Sequence, residues 1–164
     1  MFLKIWRFIT ILLAAFSLGL SLAHLLELPP RMRFDQTLWV RVTVFENVYA
    51  LFGIIGAFFE TGAILAAIVL IFLVRKRGAT FYWTIAGTVF LIIAFASWII
   101  FVAPMNAEFA KWLTAPMPPD WTRFRNQWEY AHAANAFIKI FGFAFLIISA
   151  LVETPENSNQ IVEE

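Results

Sequence analysis

The chain has 164 residues, 62% of them hydrophobic and 14% charged, with a mean hydropathy of +0.78. A soluble domain of this length needs more polar surface, so the composition is that of a single-domain membrane protein. A net charge of +1 without a basic stripe argues against a nucleic-acid partner; the absence of cysteine excludes disulfides, thiolate metal sites, iron–sulfur clusters and covalent c-type haem.

Four apolar runs are long enough to cross about 30 Å of hydrocarbon as helices. The first, about residues 8–26, ends at Pro29-Pro30. Lys4 and Arg7 ahead of it imitate a signal peptide, but the run is too long and no small-x-small cleavage site precedes Pro29, so a retained helix is expected. Residues 31–44 read as an interfacial segment, with Phe34, Leu38 and Val42 at helical spacing, Trp39 alongside, and Arg31, Arg33 and Arg41 free to face water. The second helix, 45–74, exceeds the bilayer and should tilt or project. Along it Glu46, Tyr49, Gly53, Gly56, Glu60, Ala63 and Ala67 form one stripe whose small residues suit close helix packing. The third, 79–102, is stopped by Pro104. Residues 108–121 carry Trp112, Trp121 and Pro116-Met117-Pro118-Pro119, as an aromatic belt at the membrane surface or as a lid over a pocket open to the outer leaflet. The fourth, 127–152, is stopped by Pro155, and 156–164 is a polar tail expected to be disordered. The expectation is an all-α, antiparallel four-helix integral membrane bundle with two longer outer loops, residues 1–155 forming the domain.

Lys4, Arg7, Arg75, Lys76 and Arg77 fall on one side of such a bundle, packed against helix ends. Arg31, Arg33, Arg41, Lys111, Arg123 and Arg125 fall on the other, spread over longer loops. Short flanking segments decide topology, so both termini are expected in the cytoplasm, across a bacterial-type cytoplasmic membrane.

The only two histidines lie in mirrored motifs, His24-Leu-Leu-Glu27 and Glu129-Tyr-Ala-His132. Residues three apart share a helix face, so on antiparallel helices both His reach one depth and both Glu lie a turn nearer the same surface. Ser17 and Ser21 lie beneath His24. Several chemistries fit. One is a carboxylate-bridged transition-metal centre of His24, Glu27, Glu129 and His132, completed by Glu60 or Glu108. Another is a b-type haem between the two His, with Arg123 or Arg125 near its propionates. A third has no cofactor: acid–base catalysis by His and Glu in an apolar pocket. The last is a His–Glu network that only fixes the helices. On the fourth helix Trp128, His132, Asn135, Lys139 and Gly142 form a stripe, and Lys139 matches Glu60 in depth, predicting a buried ion pair between them.

The run Ala23-His24-Leu-Leu-Glu27-Leu-Pro29 resembles the first-helix signature of anthrone-oxygenase-like integral membrane proteins, a family mostly of unknown function. Glu60 after Gly53 and Gly56 is similar as well, as is Arg125-Asn-Gln-Trp128-Glu129-Tyr-Ala-His132. The likeness covers about residues 21–150; Thr61 and Lys139 depart from the family's pattern. The resemblance implies a four-helix membrane bundle and, for characterised members, oxygenation of an anthrone to a quinone. It implies His24, Glu27, Glu129 and His132 as acid–base or ligand residues, joined by Glu60, in a substrate pocket lined by Arg125 and Trp128; Trp98 and Asn135 are expected to line that pocket as well. The expected partners are the lipid bilayer and a hydrophobic aromatic or quinone-like molecule. The competing expectation is a non-enzymatic accessory subunit whose Glu60–Lys139 pair and glycine faces organise a homo-oligomer or larger membrane complex. A transporter fits less well, because four helices without an internal repeat offer no basis for alternating access.

Overall fold

The structure is a computed structural model that describes residues 1–153. The Pro155 stop and the 156–164 tail lie outside the described residues. Within them α1 spans Phe2–Arg31, α2 Gln36–Val40, α3 Ala50–Val74, α4 Ala79–Ser97, α5 Ala103–Lys111 and α6 Trp121–Leu151. A π-helical turn, Arg41–Phe45, extends α2, and a second, Trp98–Val102, joins α4 to α5. Four helices are long and apolar enough to cross a membrane: α1, α3, the continuous Ala79–Lys111 and α6. The protein is therefore an all-α membrane bundle. Large apolar side chains such as Phe8, Leu51, Phe58, Leu65 and Phe72 stand exposed on its outside, as lipid contact requires.

Neighbouring helices meet in opposite order along the chain. On α1 and α6, Ser21 meets Lys139, His24 meets His132 and Arg31 meets Glu129. On α4 and α6, Thr84 meets Ser149, Gly87 meets Leu146 and Ala94 meets Asn135. This α4–α6 seam is the tightest in the bundle. A Cβ on Gly87 would lie 2.9 Å from Leu146 Cγ and 3.0 Å from the Gly142 carbonyl oxygen. Beside it Thr84 and Thr88 bond back to the carbonyls of Thr80 and Thr84, each at 2.8 Å, and the Thr84 and Ser149 hydroxyls meet at 2.7 Å. Small residues and hydroxyls thus let the backbones approach where hydrophobicity alone gives no drive.

The expected packing of the Gly53–Gly56 stripe is not found. A Cβ on Gly53 would meet nothing within 4 Å, and one on Gly56 only Leu20 Cδ1 at 3.8 Å. Only the second half of α3 is tight, where Ala63 and Ala67 join Ala14, Leu91 and Leu146 in a core. The first half stands off and leaves space inside.

Helix ends differ from expectation at Pro29-Pro30 and at Pro104. α1 runs through Pro29 and Pro30 to Arg31. A proline ring already has a helical φ, so the chain continues, and the cost is the two backbone bonds that the Leu25 and Leu26 carbonyls lose near the exposed end of α1. Pro104 lies in the first turn of α5, where no N–H is needed, so the π-helical turn hands the chain into a further helix. The predicted second helix starts at Ala50 instead of 45, because Asn47 with φ 47° breaks the chain after the π-helical turn.

α2, α5 and their loops fold over one end as an aromatic cap. Trp39, Phe109, Trp112, Trp121 and Trp128 are buried together there. Trp39, Trp112 and Trp121 are therefore internal packing residues and not a lipid-facing belt. At the opposite end Glu153 pairs with both Arg7 and Arg77, tying α6 to the start of α1 and to the α3–α4 turn.

Candidate functional site

The cap end of the bundle gathers the polar residues around one buried carboxylate. Glu129 is 1% exposed. Its Oε1 accepts from Arg31 Nε at 3.0 Å and Trp39 Nε1 at 2.8 Å, with Arg31 Nη2 also 2.8 Å away. Charge neutralisation by a guanidinium and a second donor is what a carboxylate needs away from water. Arg31 is itself buried, its guanidinium 4.1 Å from the Tyr49 ring centroid and 4.8 Å from that of Trp128. The expectation that Arg31 faces water is thus corrected. Because α1 continues through the prolines, His24, Glu27 and Arg31 follow an i, i+3, i+7 spacing on one face. That spacing was the available sequence signal for Arg31, hidden by ending the helix at Pro29.

The two imidazoles come together with ring centroids 4.2 Å apart. Trp128 packs edge-on to both, at 4.8 Å from His24 and 4.6 Å from His132, and its indole N–H donates to Asn106 Oδ1 at 2.7 Å. His24 Nε2 is buried without a hydrogen-bond partner, as is Glu129 Oε2; the two atoms are 3.8 Å apart, beyond hydrogen-bond reach. Glu27 takes another role. It accepts from the Tyr49 hydroxyl at 2.8 Å and lies 3.7 Å from Arg31 Nη1, with its side chain 43% exposed. Burial pushes the Tyr49 phenol up to about 12, so it stays protonated as the donor.

These positions decide between the cofactor readings. Among the described residues no three His, Asp or Glu side chains form a group able to hold a metal ion. Glu129 is engaged by Arg31 and Trp39, Glu27 by Tyr49, and Glu60 by Lys139, so the proposed ligand set does not fit. Glu108 is also engaged, with Lys111 at 2.6 Å. A haem does not fit between His24 and His132 either, because their rings touch and leave no slot for a macrocycle. Arg123 pairs with exposed Asp120 instead.

His24 and His132 form part of the wall of a cavity of about 510 Å³ enclosed by α1, α3, α4–α5 and α6. This is a size suited to a small organic ligand. Trp98, Trp128 and Asn135 also line it. Asn135 Nδ2 donates to the Ala94 carbonyl at 2.6 Å, just before the π-helical turn that carries Trp98. Such turns often mark functional positions. Arg125 is not among the lining residues: its Nε donates to Asn126 Oδ1 at 3.1 Å and its guanidinium lies over Trp121. Gly53, Ile54 and Ala57 on α3, with Ala110 on α5 and Leu113 just after it, line the cavity and are exposed, so its mouth opens sideways between these helices. Further along, Lys139 Nζ lies 3.0 Å from Glu60 Oε2 and donates to Ser21 Oγ at 3.1 Å, and all three residues line the same cavity.

In comparisons with known proteins, no family model, curated protein or solved structure matches the chain.

Proposed function

We propose that the chain is a membrane oxidoreductase that oxygenates a flat, lipophilic aromatic substrate of the anthrone or quinone type. The observation that carries this reading is the His24–His132 contact in the wall of a largely apolar cavity. Imidazole is the side chain best suited to accept and return a proton near neutral pH. An imidazole removes a proton from the acidified methylene of the substrate, and the ring system delocalises the electron pair left behind. That carbanion adds to O₂ to give a hydroperoxide. Loss of water then leaves a carbonyl, so one methylene and one O₂ become one C=O and one H₂O. Arg31 and Glu129 act as positioning residues: the ion pair holds a carboxylate edge near His24, and Trp128 fixes both rings.

The sideways mouth supports entry from lipid, the phase in which such a substrate dissolves. With Lys4, Arg7 and the Arg75-Lys76-Arg77 turn cytoplasmic, the mouth lies in the outer leaflet of a cytoplasmic membrane. The test is oxygen uptake by detergent-purified protein given anthrone, with anthraquinone followed by absorbance. Wild type accelerates conversion, and His24→Phe and His132→Phe each lower the rate by about 100-fold or more while keeping the melting temperature. No acceleration over buffer, or variants as fast as wild type, contradicts the reading.

A further inference from the structure

The cavity has a second polar end. Lys139 lies seven residues beyond His132, about 10 Å along the α6 axis. Its ammonium has three donors and directs two of them to Glu60 Oε2 and Ser21 Oγ. Glu60 Oε1 and Ser17 Oγ are buried without any hydrogen-bond partner. Both residues line the cavity with Lys139 and Ser21, and both are more than nine-tenths buried, Ser17 at 1% and Glu60 at 7% exposure. Phe52, Phe95 and Trp98 line the same cavity as apolar walls.

Unmatched buried polar atoms are unusual and ask for a partner. The unused capacity here is one ammonium N–H, one carboxylate oxygen and one hydroxyl. A carboxylate or phosphate on the ligand would accept from Lys139 but confront Glu60 Oε1 with like charge. A bare carbonyl would also accept, yet leave that oxygen without a donor. A ligand ammonium would confront Lys139. A hydroxyl can serve the whole set, donating to Glu60 Oε1 while its two lone pairs accept from Lys139 and Ser17.

We infer that Ser17, Glu60 and Lys139 form a subsite for a hydroxyl group on the far edge of a flat lipophilic substrate whose reacting edge lies against His24 and His132. This deepens the proposed function and rests on it for which edge reacts. The substrate is then gripped at one edge and deprotonated at the other. The Glu60–Lys139 pair is then a recognition element and not merely a pin between α3 and α6.

The test is binding, read by quenching of tryptophan fluorescence in the whole protein in detergent, since Trp98 and Trp128 line the cavity. Two probes suffice: anthrone, and an anthrone bearing a hydroxyl group on its outer ring edge, away from both the methylene and the carbonyl, so that its O–H is free to donate. Wild type binds the hydroxylated probe about tenfold or more tightly than anthrone. That ratio shrinks in Ser17→Ala and falls to one in the double variant Glu60→Gln/Lys139→Met, which removes both charges together. Equal affinity for the two probes, or failure of both to bind, overturns the subsite whatever the oxygen-uptake result. A preference without oxygenation keeps the subsite and removes the oxygenase reading. Should the double variant not fold, Ser17→Ala decides alone: its hydroxyl has no partner in the fold, and an unchanged ratio overturns the inference.

Discussion

At the residue scale, the site depends on how one buried carboxylate is partnered. Glu129 has Arg31 and Trp39 on one oxygen and nothing on the other. Removing Arg31 alone leaves an unpaired buried charge, so Arg31→Met should destabilise the protein by about 3–5 kcal/mol. Adding Glu129→Gln to that variant should recover most of the loss, because the charge goes with its partner. Unfolding of the single and double variants in detergent checks this; additive losses would mean that the two side chains act independently. The residues of the site were unevenly legible. The mirrored His-x-x-Glu spacing brings His24 toward His132, and matched depth brings Lys139 to Glu60, because both arguments need only helical periodicity. Arg31 was hidden because Pro29 reads as a stop, although the helical φ of both proline rings lets α1 continue to Arg31. Arg125 shares a face with Trp128 and His132 by spacing, yet its guanidinium turns to Asn126 and Trp121, while Arg31 stands over Trp128. Helical spacing alone could not tell which arginine does so.

Among the elements, the contrast lies between two glycine positions. Gly87 sits where a methyl group would press on Leu146 and on the Gly142 backbone, and Gly53 sits beside open space. Gly87→Ala should therefore destabilise the bundle by about 1–3 kcal/mol through overpacking. Gly53→Ala should leave stability unchanged or raise it by up to about 1 kcal/mol, because alanine is the better helix former. Thermal melts of the two variants in one detergent decide the point, and an equal loss in both would contradict the assignment of the α4–α6 seam. Hydropathy made the four spans legible, since length and apolar character are local properties. It did not reveal α5, because Pro104 reads as a stop unless the preceding π-helical turn is known. Nor could it distinguish a tryptophan at the membrane surface from one buried beneath α2 and α5, as Trp39 and Trp112 are. That distinction depends on tertiary packing.

For the whole molecule, the bundle divides into a tight half and an open half. The tight half is closed by small residues and by the Arg7–Glu153–Arg77 cluster. The open half holds the cavity beneath the aromatic cap. The proposed topology puts the basic residues of the tight end in the cytoplasm, and the absence of native cysteine makes it simple to check. In intact cells a membrane-impermeant maleimide should label Thr37→Cys, in the exposed cap, and should reach Lys76→Cys only after permeabilisation. The opposite pattern would turn the cavity toward the cytoplasmic leaflet. The central claim is that the His24–His132 contact removes a proton from a substrate held in this cavity, a step that needs no oxygen. Anaerobic exchange of the anthrone methylene hydrogens in D₂O, followed by mass spectrometry, measures that step alone. Wild type should speed exchange well above the buffer rate, and His24→Phe and His132→Phe should return it to that rate. Exchange no faster than buffer with wild type, or undiminished in both variants, would contradict the acid–base role of the pair.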